Sequence, residues 1–171
     1  VIIHAYEQWG TDAFSKLNGM FSFALLDQNR RRLIIARDRF GEKPLYYYNE
    51  GQTFLFASEL KALEAYPGFS SSVAHDQLSL FFLFGYMPTP RSIYDNVYKL
   101  SPAHFLVLDT ESLQCEVRPY WRGMEETLCA PACGDDRETA VSRVEKELLS
   151  SIEMRLIADV PVGAFLSGGV D

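Results

Sequence analysis

The chain has 171 residues, with 16 Lys and Arg against 23 Asp and Glu, a formal net charge of −7. Hydrophobic residues make up 47% and aromatics 13%, enough to bury a core and exclude intrinsic disorder, while the longest near-continuous apolar run, Leu80 to Met87, is far short of a bilayer span of about 20 residues. The acidic balance, with Arg30-Arg31-Arg32 as its one basic cluster, argues against a nucleic-acid surface, and three scattered cysteines are too few for a disulfide framework and indicate a reducing, cytoplasmic compartment.

Val1 to Trp9 is apolar at 2, 3, 5, 6 and 9, the spacing of a helix, and Gly10 stops it. It opens without a cap or lead-in, and the chain closes on a Gly-rich loop, so we expect a segment cut at both ends. Thr11 to Leu17 adds a helical turn or two before Asn18-Gly19. Met20 to Asp27 is short, apolar and aromatic, which favours a strand. Asp27 to Arg31 makes a solvated turn, and Arg32 to Arg37 returns as the second strand of a hairpin. Leu45 to Tyr48 and Thr53 to Ala57 predict another hairpin around Asn49-Glu50-Gly51-Gln52. Ser58 to Ala65 reads as a short helix capped by Ser58. His75 to Phe84 is a longer apolar helix ended by Gly85 and Pro88-Thr89-Pro90. Val97 to Leu100, His104 to Asp109 and Leu113 to Trp121 read as strands, with a turn at Asp109 to Ser112.

The character then changes. Residues 122–136 hold Gly, Pro, two Cys and four acidic residues with no apolar period, and read as a linker. Arg137 to Ile157 is apolar at 141, 144, 148, 152 and 156, one face of a helix, and Asp135 with Glu138 forms a capping-box pattern. Val162 to Leu166 is an apolar strand candidate leading into Ser167-Gly168-Gly169. Helix, strand and Gly-rich loop open an α/β nucleotide-binding unit.

Ser167-Gly168-Gly169-Val170-Asp171 is the sharpest chemical signal. A Ser and two Gly after a strand leave backbone N–H groups free to converge on an anion, and Asp171 could hold the divalent cation that a polyphosphate needs. The plain alternative is a Gly-rich turn. The loop lacks the Walker A pattern, and Ser167 lacks the G-x-S-x-G context of a nucleophile. Arg37 to Tyr46 is charged and sharply bent, and its composition favours a structural loop held by an internal Arg–Asp pair. Glu59 and Lys61 read as exposed polar positions. His4, His75 and His104 have no ligand spacing. Cys129 and Cys133 have no His or second Cys pair beside them to complete a zinc site. Met20, Phe21, Phe23 and Tyr46 to Tyr48 read as core.

Asn18-Gly19-Met20-Phe21-Ser22-Phe23-Ala24, Arg37 to Tyr47, Ser58 to Leu63, Leu100-Ser101-Pro102-Ala103-His104 and Asp159 to Asp171 together resemble glutamine-hydrolysing asparagine synthetases of the bacterial type. The resemblance covers the chain except the loop near 122–136. It implies an α+β fold. Residues 1–121 would be the C-terminal part of a type 2 glutamine amidotransferase domain with the N-terminal-nucleophile hydrolase fold, two stacked antiparallel sheets between helices. Residues 122–136 would be a linker, and 137–171 the first helix and strand of a domain resembling ATP pyrophosphatases.

The resemblance also implies the chemistry. An N-terminal Cys releases ammonia from glutamine, aspartate is activated with ATP and Mg²⁺ as its β-adenylate, and ammonia displaces AMP. Leu166 matches the residue whose backbone lies against the adenine nucleotide; Ser167, Gly168 and Gly169 match the phosphate cradle; Asp171 matches a Mg²⁺ ligand. The family's glutaminase residues match positions before Val1, and Cys115, Cys129 and Cys133 match none of them, so no catalytic residue is assigned and the segment alone is expected to be inactive. Ala103 stands where the family more often has Gly. Full-length relatives often form homodimers. A related amidotransferase acting on another carboxylate, and an inactive scaffold, are the alternative readings.

Overall fold

The computed structural model describes residues 1–131, 134–165 and 168; of Met124 it describes the backbone alone. The chain divides into two units, Val1–Thr127 and Leu128–Asp171.

In the first unit, α1 (Ile2–Trp9) leads through a 3₁₀ turn (Gly10–Asp12) into α2 (Ala13–Lys16). The strands β1 (Ser22–Asp27), β2 (Arg32–Arg37), β6 (His104–Asp109) and β7 (Cys115–Pro119) form one antiparallel sheet in the order β1-β2-β6-β7. A second antiparallel sheet has the order β4-β3-β5, from β3 (Tyr46–Glu50), β4 (Thr53–Ala57) and β5 (Val97–Lys99). The fold is therefore mixed α and β with antiparallel sheets, as the sequence predicts. The β1–β2 register pairs Ser22 with Arg37 and Asp27 with Arg32, so both predicted hairpin strands are in place. In the β3–β4 hairpin, Glu50 pairs with Thr53. The turn is thus Gly51-Gln52, narrower than the predicted four residues, because Gly51 takes φ +60° and reverses the chain at once.

Strand alternation sends neighbouring residues to opposite faces of the larger sheet. Ile34, Ala36 and Phe105 pack with Tyr6, Ala13 and Phe14 of the helices. Ile35, Leu106 and Leu108, on the other face, share a cluster with Leu45 and Leu100 and with Tyr47 and Phe54 of the smaller sheet. Beyond that sheet, Tyr48 and Val97 pack with Leu63 of α3 (Leu60–Glu64). Odd and even residues of β2 thus serve different layers.

Three local readings change. Ser58 does not cap α3; Glu59 occupies the N-cap position without a side-chain cap bond, since the helix starts one residue later than expected. Met20 is exposed rather than core, standing before β1 begins, whereas Phe21 and Phe23 pack against the buried cluster. Residues 123–129, inside the segment read as a linker, form a helix, α5 (Gly123–Cys129), with Glu125 and Glu126 favourably placed in its first turn against the helix dipole. The helix α4 (His75–Phe84) has its predicted bounds and ends on Gly85 in the left-handed conformation, but none of its residues is buried.

In the second unit, α6 (Arg137–Arg155) ends two residues before the expected Ile157 and holds the stripe positions Val141, Val144, Leu148 and Ile152, all exposed, with Leu156 as its C-cap. Its N-cap is Asp136, not Asp135: Asp136 Oδ1 accepts from Thr139 N at 2.8 Å. Residues 161–165 form no strand. An extended segment becomes a strand only when a neighbour supplies its hydrogen bonds, and no described residue of this unit does so. Among the described residues, no helix is long and apolar enough to cross a membrane.

Candidate functional site

Where β2 ends, the chain places a basic and an acidic residue side by side inside the protein. Arg37 is buried and Asp38 is 1% exposed. The expected Arg–Asp ion pair is not what holds this loop. Arg37 spends its donors on carbonyls: Nε on Lys43 at 2.9 Å, Nη1 on Leu100 at 2.7 Å and Nη2 on Gly41 at 2.5 Å. Among the described residues, the Asp38 carboxylate accepts from backbone N–H groups. Oδ1 takes Phe40 N at 3.1 Å and Glu42 N at 3.0 Å, and Oδ2 takes Lys43 N at 3.0 Å and Phe21 N at 3.3 Å.

The electrostatics follow from this arrangement. Burial pushes the Asp38 carboxyl up, but the N–H groups of Lys43, Glu42, Phe40 and Phe21 outweigh it and hold the group below its ordinary value. Burial lowers the Arg37 guanidinium from its usual value, opposed by the neighbouring Asp38 charge, and so far above neutrality it remains a cation. The main chain joins in: Asp38 C=O accepts from Ala103 N at 2.8 Å, and Tyr120 OH donates to Arg37 C=O at 2.8 Å. Burial pushes the Tyr120 phenol up to about 12, so it stays a donor. This node therefore ties residues 21, 37–43, 100–103 and 120 together.

The node presents an exposed ledge. Arg39 donates to the Ser15 and Leu17 carbonyls at the end of α2, and its guanidinium lies 5.6 Å from the Trp121 ring centroid. Phe40, 74% exposed, meets Trp121 edge-on at 5.7 Å. Nothing in this cluster resembles a nucleophile with its base. It can position backbone and present an apolar surface.

A groove of about 1060 Å³ runs between α1 and β1, with Ile2, Tyr6, Phe23 and Leu25 along it. One part of its lining is polar: Tyr6 OH donates to Asp27 Oδ2 at 3.0 Å, and Arg30 N donates to Asp27 Oδ1 at 3.0 Å. In the sequence, Asp27 ends a strand and opens a turn that includes Arg30, with nothing to mark either as part of a groove. Their link to Tyr6 spans 21 positions and left no local signal.

Of the residues matched to nucleotide and metal binding, Leu166, Ser167, Gly169 and Asp171 lie outside the described residues. Gly168 is described: it is exposed, and among the described residues none lies within 4 Å of where a Cβ would stand. His4 is exposed and sits 3.0 Å from Glu7 Oε2, while His104 Nδ1 is 2.7 Å from the Pro102 carbonyl. His75 is exposed at the start of α4. Cys115 and Cys129 are free thiols, and Cys133 lies outside the described residues. Among the described residues, no group of three His, Cys, Asp or Glu side chains is placed to hold a metal ion.

Comparison with known proteins matches residues 1–121 to the glutamine amidotransferase domain family and residues 143–171 to the asparagine synthase family. The chain belongs to the glutamine amidotransferase domain family. It is 35% identical over 173 residues to a putative glutamine-hydrolysing asparagine synthetase 2 of Methanocaldococcus jannaschii, covering 100% of this chain and 33% of the relative. It is 37% identical over 172 residues to the glutamine-hydrolysing asparagine synthetase 3 of Bacillus subtilis, covering 100% of this chain and 27% of that protein. A third relative is the amidase chry2 of Gibberella zeae, 33% identical over 174 residues, with 100% of this chain and 25% of the relative covered. The chain spans about a third or less of the length of these relatives.

Proposed function

We propose that this chain is part of a glutamine-dependent asparagine synthetase, a carbon–nitrogen ligase. The parent enzyme makes L-asparagine from L-aspartate, glutamine and ATP through β-aspartyl-AMP, releasing AMP and pyrophosphate. The observation that carries this reading is the order of two family matches along one chain, a glutamine amidotransferase domain at 1–121 and an asparagine synthase segment at 143–171. Chemically the pairing is coherent. A carboxylate is a poor electrophile, so adenylation supplies a leaving group, and a glutaminase supplies the ammonia.

In this reading the first unit is the C-terminal part of an amidotransferase domain of the N-terminal-nucleophile hydrolase type. The helix, sheet, sheet and helix contacts of its core clusters support that layering. Residues 122–136 link it to the synthetase domain, which begins at 137. Leu166, Ser167, Gly168 and Gly169 bind ATP, and Asp171 holds Mg²⁺, which offsets polyphosphate charge when bound. The enzyme is cytoplasmic, and its partners are its substrates, not nucleic acid or membrane. The segment alone makes no asparagine.

The amidase relative of Gibberella zeae favours one second reading, a related amidotransferase acting on another carboxylate. The test uses the full-length protein, assayed for amino-acid products with aspartate, glutamine and Mg-ATP. Asparagine formation with release of AMP supports the first reading. Glutaminase activity without asparagine sinks it in favour of the second. Replacing Asp171 with Asn should cut ATP-dependent amide formation by roughly 10²-fold, the scale of losing one preorganised electrostatic group, while glutamine hydrolysis persists. Equal loss of both activities would remove Asp171 from its assigned role.

A further inference from the structure

We draw no further inference here: the strongest candidate, the exposed apolar patch at the end of α4 formed by Phe81, Phe82, Leu83, Phe84 and Tyr86, is an unpartnered apolar face, and nothing in the structure shows what covers it.

Discussion

Phe21 and Asp38 clasp each other with two hydrogen bonds. Asp38 N donates to the Phe21 carbonyl at 2.9 Å, and Phe21 N donates back to the Asp38 carboxylate at 3.3 Å. The pair joins the chain just before β1 to the chain just after β2. Since β1 and β2 are hydrogen-bonded neighbours, the clasp extends their ladder past its regular end with one side chain. The same carboxylate then folds the following loop around itself.

Removing that carboxylate should therefore open more than one segment. Asp38→Ala leaves four backbone donors without their acceptor, and a buried unsatisfied donor costs about 1–3 kcal/mol. Some donors will reach water, so we expect a loss of about 3 kcal/mol in urea unfolding. Asp38→Asn keeps one oxygen and should lose less. The pH dependence has a definite sign. Because the folded carboxyl lies below its ordinary 3.8, its contribution is present above that value and fades as pH falls through the lower folded value. Stability of the native chain should thus decline below about pH 4. The decline should be shallower in Asp38→Asn; identical slopes would mean that the clasp does not titrate.

Gly41 is the residue that lets this loop close. Its φ is +68°, and a Cβ there would stand 2.8 Å from Pro102 Cγ and 3.0 Å from the Arg37 guanidinium carbon. Gly41→Ala combines a left-handed backbone with a steric clash against a packed ring. We expect destabilisation of about 2 kcal/mol, since Ala at positive φ costs more than the usual entropy gain. Calorimetric melting of the variant measures it, and an unchanged midpoint would show that Pro102 yields freely.

Ala103 offers the opposite experiment. It is buried at φ +60°, donates its N–H to Asp38 C=O at 2.8 Å, and accepts Tyr120 N at 2.9 Å. The left-handed conformation costs an L-residue about 1–2 kcal/mol, while one buried methyl group contributes about 0.8 kcal/mol. Ala103→Gly should therefore stabilise the chain by roughly 0.5–1 kcal/mol. A fall in the unfolding midpoint would mean that the methyl group packs better than its size suggests.

What the sequence made legible follows from how local each cause is. β2 and β6 could be bounded from their apolar runs and flanking turns, because strand alternation and turn residues are written in adjacent positions. The node was legible only as a charged bend. Its partners at 100–103 and 120 lie about 60 to 80 positions away, so the local Arg37–Asp38 neighbourhood suggested an ion pair where backbone carbonyls and amides do the holding. Residues 123–129 read as linker because seven residues show no apolar period, although Glu125 and Glu126 suit a helix's first turn. The nucleotide loop was legible as a motif, and its geometry lies outside the described residues.

The start of α6 separates a motif from its register. In the sequence, Asp135 with Glu138 three residues on forms the capping-box pattern. The helix chose Asp136, whose Oδ1 takes the Thr139 N–H at 2.8 Å, while Asp135 pairs with Arg143. The bond to Thr139 N also holds the Asp136 carboxyl below its ordinary value. Asp136→Ala should therefore lower the helix content of a 134–157 peptide measured by circular dichroism. Asp135→Ala should lower it less, since it removes an exposed ion pair with Arg143 and leaves the Asp136 cap bond in place. The native peptide should lose helicity as pH falls below about 4, where the cap protonates, and Asp136→Asn should lose none of it through this group. If Asp135→Ala proves the more damaging change, the capping register lies one residue earlier and the sequence motif was the truer guide.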